Sequence, residues 1–441
     1  MTLPLALVEV AAVVLAASGA GAVAAGALLP PGRPFRLERL GWAFAVGVAL
    51  LEAFVPLSFL GDARPGWVAF AVLAALCAAA GRWWRVAGGS EKLPSGGVPR
   101  PGVRAALLVV VASGVALYAL RALTEPMWSN DFVAIWGLKA KSMFLSGGMP
   151  ETRFPGFSHP EYPLGLPFLY AGVAFLTRGW DDHAMTLLFP LFQVATLCVA
   201  AGWLRRRGAA ATVALLAAAI LASFEPLYSA FLTGLAEVPL AFGALLFGTA
   251  LADAFDSAEA GALRRLALAA AILAATKNEG LFLAAAGCAV GLALGGRRRW
   301  KIAAAALPTA LLVHLLHRIW RGPLPLRDFD FGLFSIPRLF DSLGTAAIEL
   351  WPWWWAVLAL VVTLIALGTR RTDANAILAL AAGAAAAYLL VPAFAVRGPE
   401  WMVQTTLTRI AAALAPLAAA GIGLRFAGPG SGAAAVHPPD A

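Results

Sequence analysis

Apolar residues along this chain do not alternate with polar ones. They run together in blocks of helical length, separated by short polar connections that carry most of the charge. The blocks fall at roughly 3–29, 40–60, 67–81, 104–122, 184–203, 210–224, 233–252, 265–276, 280–296, 302–319, 347–368, 376–395 and 405–425. A helix needs about 20 mostly apolar residues to cross about 30 Å of hydrocarbon, so the pattern predicts an all-α polytopic membrane protein with about thirteen transmembrane helices. Alanine and glycine fill many of the blocks, which suits helices whose backbones approach closely in lipid. The first block is too long and too continuously apolar for a signal peptide and has no basic stretch before it, so it is expected to be a retained helix.

The basic residues orient these segments. Arg33, Arg36 and Arg39, then Arg82 to Arg104, Arg205–Arg207, Arg264 and Arg265, Arg297–Lys301, and Arg370 and Arg371 occupy every second connection, and excess Lys and Arg marks the cytoplasmic side. The other connections hold carboxylates, among them Asp62, Glu125, Asp131, Glu151, Glu161, Asp181, Asp182, Glu225, Glu237, Glu279 and Glu400. The register requires that 163–178, although apolar, does not cross; it is expected to be a juxtamembrane or re-entrant helix. Two long external loops remain, about 123–162 and about 320–346, and long loops in compact proteins usually carry function. Juxtamembrane helices are expected in the first. A multi-pass membrane protein with its chemistry on the extracytoplasmic face is the localisation this implies.

Composition narrows the picture further. Of 441 residues, 61% are hydrophobic and 13% charged, which leaves no polar stretch long enough for a separate soluble domain. The formal charge of +9 does not point to nucleic acid, because the basic clusters are short and lack interleaved stacking aromatics. Cys77, Cys198 and Cys288 all lie inside apolar blocks and are expected to be packing residues rather than metal ligands or a disulfide pair.

Candidate chemistry concentrates on the acid-rich side. Ser129 or Asn130 can cap an interfacial helix whose apolar side is Phe132, Trp136, Leu138 and Met143 and whose polar side is Lys139, Lys141 and Ser142. Asp131 stands in its first turn, where a carboxylate either complements the helix dipole or serves as a proton acceptor. His159-Pro160-Glu161-Tyr162-Pro163 makes a rigid, extended approach to the 163–178 helix. Its histidine fits a loop hydrogen bond as well as a ligand contact, and Tyr162 fits an interfacial anchor as well as a substrate contact. Glu237, near the outer end of an apolar segment, is costly at membrane depth unless it faces a cavity or a partner. Thr276-Lys277-Asn278-Glu279-Gly280 is a tight polar hairpin, and its turn chemistry alone does not require the Lys/Glu pair.

Asp131 with Trp136 and Lys139-Ala140-Lys141, His159 to Pro163, Ala236-Glu237-Val238-Pro239-Leu240, Thr276 to Gly280 and Thr405-Thr406-Leu407-Thr408-Arg409, in that order, resemble the GT-C superfamily of membrane glycosyltransferases. The chain is similar to bacterial protein O-mannosyltransferases and aminoarabinose transferase-like proteins over roughly residues 104–425. This implies three N-terminal transmembrane helices in 1–100 outside the match, a glycosyltransferase membrane module over 101–426, and a disordered cytoplasmic tail at 427–441. It implies a polyprenyl-phosphate sugar donor, a glycan, lipid or protein acceptor, and inversion at the anomeric carbon. Asp131 matches the family's catalytic aspartate. Lys139, His159, Glu161, Tyr162, Glu237, Lys277, Glu279 and Arg409 become the expected substrate-binding residues, with Lys277 and Arg409 facing phosphate. Relatives often carry Asp where Glu237 stands, and some carry a second acid directly after the catalytic aspartate, where this chain has Phe132. A divalent metal is therefore not favoured, and no cofactor is expected.

The alternative is a transporter or flippase for a lipid-linked or anionic substrate. Such proteins are commonly built from repeats and broken helices, and no convincing repeat halves can be seen in the sequence. Glu9 and Glu52, inside the first two blocks, are explained by neither reading.

Overall fold

A computed structural model describes residues 3–29, 36–61, 64–83, 99–149, 159, 161–255, 261–321, 330–349 and 372–426. These residues form helices and turns, with no β-strand among them. In chain order the helices are α1 (Leu3–Ala24), α2 (Arg36–Leu60), α3 (Trp67–Trp83), α4 (Pro101–Thr124), α5 (Gly137–Ser146), α6 (Gly165–Thr177), α7 (Leu188–Arg206) and α8 (Ala211–Ala222). There follow α9 (Glu237–Ala254), α10 (Ala262–Thr276), α11 (Asn278–Leu294), α12 (Arg299–Arg321), α13 (Ile336–Glu349), α14 (Thr372–Leu390) and α15 (Pro399–Arg425).

Eight of the described helical segments are long and apolar enough to cross a membrane, and α3, α6, α8 and α11 are shorter apolar helices. The count of about thirteen shrinks for two reasons. Most of block 347–368 lies outside the described residues, as does the tail at 427–441. Blocks 67–81, 210–224, 265–276 and 280–296 become helices of 17, 12, 15 and 17 residues, or about 26, 18, 22 and 26 Å of rise. Composition does not register where a helix stops. Between α10 and α11 the chain stops at Lys277, whose backbone is extended (φ −158°, ψ 156°). The turn is tight because Gly280 lets the two helices meet: a Cβ there would fall 1.9 Å from the Leu273 carbonyl oxygen. Block 163–178 forms α6, whose residues from Gly165 to Leu176 are all buried and whose 13 residues rise only about 20 Å.

The centre of the bundle is α9. Every residue from Glu237 to Ala254 is buried, and the helix packs against α7, α10, α11, α14 and α15. Pro239 is tolerated because it lies in the first turn, where backbone N–H groups have no helical acceptor. The N-terminal helices share this core: α2 packs on α6 and α7, and α1 packs on α2, α3 and α6.

Both ends of α9 are charged. At its C-terminal end the Asp253 Oδ2 is 2.6 Å from Arg206 Nη2 and 2.8 Å from Arg265 Nη2, while Oδ1 accepts a hydrogen bond from Trp203 Nε1 at 3.0 Å. Arg206 also grips Glu38 through two hydrogen bonds of 2.7 and 2.9 Å, and Arg207 pairs with Asp373 at 2.5 Å. Three carboxylates thus face three guanidiniums, joining α2, α7, α9, α10 and α14 at one end of the bundle. Glu237 stands at the other end of α9, about 24 Å away along the helix axis.

Candidate active site

The segment after α4 turns through Pro126–Trp128 and starts a new helix at Asn130, where the Ser129 hydroxyl accepts the Phe132 N–H at 3.3 Å. This is the cap expected from the sequence, and it places Asp131 in the first turn. The helix widens to a π turn over Phe132–Trp136 before continuing as α5. The expected division of faces is only partly realised. Phe132, Trp136 and Met143 are buried, but Leu138 is exposed and Lys139 is fully buried. The buried stripe follows helical spacing through 132, 136, 139 and 143, so position decides which side chain turns inward.

Lys139 is accommodated by specific partners. Its ammonium donates to the His159 carbonyl at 2.5 Å and lies 6.0 Å from the ring centroids of both Trp136 and Tyr162. Tyr162 stacks between Trp136 at 5.3 Å and the His159 imidazole at 4.7 Å. His159 takes a left-handed backbone conformation (φ 48°), and its Nδ1 is 3.2 Å from Glu161 Oε1. Glu161 is buried against His159, so Lys139, His159, Glu161 and Tyr162 form one assembly that ties the loop to α5.

The remaining expected residues converge from three further elements. Arg409 Nη2 lies 2.8 Å from Asp131 Oδ2 and 2.5 Å from Glu237 Oε1. Lys277 Nζ lies 3.1 Å from Glu237 Oε1 and 2.8 Å from Glu279 Oε1. Asp131 and Arg409 are 278 positions apart in sequence. Each stands beside a π turn, the second at Val403–Leu407, a helical distortion that is frequent at functional sites. Arg409 and Lys277, expected to face phosphate, are therefore both engaged by carboxylates. Burial disfavours the Lys277 ammonium, but Glu237 and Glu279 outweigh it and hold its proton more tightly than on a free lysine.

These groups open onto a cavity of about 790 Å³ whose wall includes Asp131, Lys277, Glu279, Tyr388, Arg397 and Arg409. Asp131 is the most accessible of the three carboxylates, its side chain 35% exposed against 1% for Glu237 and 15% for Glu279. Several buried polar atoms beside the cavity have no hydrogen-bond partner among the described residues, including Tyr388 Oη, Glu279 Oε2, Asn278 Oδ1 and Arg409 Nε. Among the described residues no group of three or more His, Cys, Asp or Glu side chains is placed to hold a metal ion.

Sequence reasoning missed Tyr388, Arg397 and Trp401. The available signals were a lone hydroxyl near the end of an alanine-rich block and a Gly398-Pro399 helix start directly after an arginine. The Arg397 guanidinium stacks over Trp401 at 4.8 Å, at the cavity wall. No family model, no curated protein and no solved structure matches the chain.

Proposed function

We propose that this protein is an integral membrane glycosyltransferase of the GT-C kind. It moves a sugar from a polyprenyl-phosphate donor to a hydroxyl or similar nucleophile of a glycan, lipid or protein acceptor, on the extracytoplasmic face of the bacterial inner membrane. The observation that carries the reading is Asp131: a partly exposed carboxylate on the wall of a large cavity, held in place by an arginine at 2.8 Å, at one end of an apolar helical bundle.

In the reaction, the acceptor O–H gives its proton to Asp131 as its oxygen bonds to the anomeric carbon. The bond from that carbon to the phosphate oxygen breaks, and the phosphate leaves with the electron pair on the opposite face, inverting the centre. A positioned general base supplies about 10²–10⁴ in rate. Arg409 holds the carboxylate in one orientation, and Glu237 holds Arg409. Sidedness rests on the basic clusters Arg205–Arg207, Arg264, Arg265 and Arg297–Lys301, which sit at helix ends opposite the cavity and on this reading face the cytoplasm.

The test is sugar transfer from undecaprenyl-phosphate donors in proteoliposomes by wild type and Asp131→Asn, with thermal stability measured on both. Expected is a loss of transfer of about 10²-fold or more with the fold intact. Near-normal transfer by the variant would remove Asp131 from the mechanism.

A further inference from the structure

Among the described residues the cavity wall carries three full cations, Lys277, Arg397 and Arg409, and two of them stand on the side of the base in an inverting transfer. In such a displacement the base and the leaving group lie on opposite faces of the sugar ring, and the protein groups that serve them stand roughly 6.5–9.5 Å apart in comparable inverting enzymes, leaving room for a nucleophile. Arg409 is 2.8 Å from Asp131 and therefore on the side of the base. Lys277 is held between Glu237 and Glu279, and Glu237 also binds Arg409, so Lys277 belongs to the same knot. That knot has three carboxylates and two cations, one negative charge in excess, and does not attract an anion.

Arg397 is different in every respect. It is exposed, makes no ion pair among the described residues, and holds its guanidinium carbon 4.8 Å from the Trp401 ring centroid, a cation–π contact that does not use up its N–H donors. Trp401 and Arg409 are eight residues apart on α15, across the π turn, a span on the order of 10 Å, enough for a phosphate, an anomeric carbon and an attacking oxygen in line. The position is held by the backbone: Arg338 of α13 donates to the carbonyls of Ala393, at 3.1 Å, and Ala395. Resting on the inverting transfer proposed above, we infer that Arg397, stacked on Trp401, receives the phosphate headgroup of the lipid donor, and that Arg409 is a positioning residue for Asp131.

The test uses the full chain in nanodiscs. Binding of undecaprenyl phosphate, undecaprenol and inorganic phosphate is measured for wild type, Arg397→Gln and Arg409→Lys, alongside donor KM and kcat. Wild type is expected to prefer undecaprenyl phosphate over undecaprenol. Arg397→Gln should weaken that preference on the order of 10- to 100-fold, the range of a lost hydrogen bond to a charged group, and raise donor KM. Arg409→Lys should keep the preference while kcat falls. Full preference in Arg397→Gln, or its loss in Arg409→Lys, overturns the inference and leaves the glycosyltransferase reading standing. Inorganic phosphate bound by wild type as tightly as the lipid overturns the assignment to a lipid headgroup. A wild type that does not distinguish undecaprenyl phosphate from undecaprenol overturns inference and reading together.

Discussion

Glu237 and Asp253, at the two ends of α9, are both fully buried carboxylates bound to cations, yet removing their charges should have unequal effects. Asp253 is the shared partner of Arg206 and Arg265, with Arg207 at 3.8 Å. Three carboxylates balance three guanidiniums there, so Asp253→Asn leaves a net positive charge among side chains that are 13% exposed or less. Breaking a buried ion pair from one side costs about 3–5 kcal/mol. At the other end Glu237→Gln brings three carboxylates and two cations into balance. Arg409 keeps Asp131 and Lys277 keeps Glu279, each at 2.8 Å. What is lost is the charge on two hydrogen bonds, about 1–2 kcal/mol. Thermal unfolding of both near-isosteric variants, in one detergent and at one pH, checks the difference. Asp253→Asn should unfold at clearly lower temperature than Glu237→Gln. An equal or larger drop for Glu237→Gln would refute the reasoning from charge balance.

Gly280→Ala should destabilise strongly, by about 1–3 kcal/mol or more, because its Cβ meets a backbone oxygen at 1.9 Å; Gly383→Ala in α14, with nothing within 4 Å, should be neutral or stabilising, and thermal unfolding of the two separates packing from any general effect of added methyls. In a background lacking Cys77, Cys198 and Cys288, an impermeant maleimide applied to intact cells should label a cysteine placed at Glu400 and not one placed at Arg297, both exposed positions; the reverse pattern would invert the orientation.

The helical, membrane-spanning character was legible because it rests on composition over windows of about 20 residues, which tertiary contacts hardly alter. Helix ends were less legible. The run 265–296 reads as two spans with a polar hairpin, and nothing in its hydropathy shows that Lys277 breaks the chain while still enclosed by the bundle. The acids of the candidate site were visible one by one as carboxylates at segment ends. The meeting of Asp131 with Arg409 joins segments 278 positions apart, which local pattern does not encode. The arginine clusters misled in a different way. Arg206 and Arg265 were read only as topology signals, yet both are buried in the network around Asp253. Glu38 and Asp253 drew no attention because each lies at the edge of an apolar segment, where an acid reads as a boundary. Glu9 and Glu52 are still without a role; Glu9 Oε2 is buried and has no partner among the described residues.

Charges at membrane depth must be partnered, and a helix as buried as α9 can carry them only at its ends, where other helices bring opposite charges. Its two ends solve this differently. Around Asp253 the charges cancel and the carboxylate has a donor on each oxygen, an arrangement suited to holding five helices in register. Around Glu237 the charges of the described residues do not cancel, and among those residues Glu279 Oε2, Asn278 Oδ1 and Tyr388 Oη stand buried beside the cavity without partners. An unsatisfied buried polar group costs about 1–3 kcal/mol, and these three belong to residues that line a cavity a ligand can enter. Such a cost is characteristic of sites whose polar groups are satisfied by a ligand instead of the fold. Acceptors such as Glu279 Oε2, with a phenol that can both donate and accept, match a ligand rich in hydroxyls. An anion would meet the excess negative charge of the same knot. On the proposed glycosyltransferase reading, the two halves of a sugar phosphate would therefore have different destinations in this cavity, the ring toward Glu279 and Tyr388 and the phosphate toward Arg397.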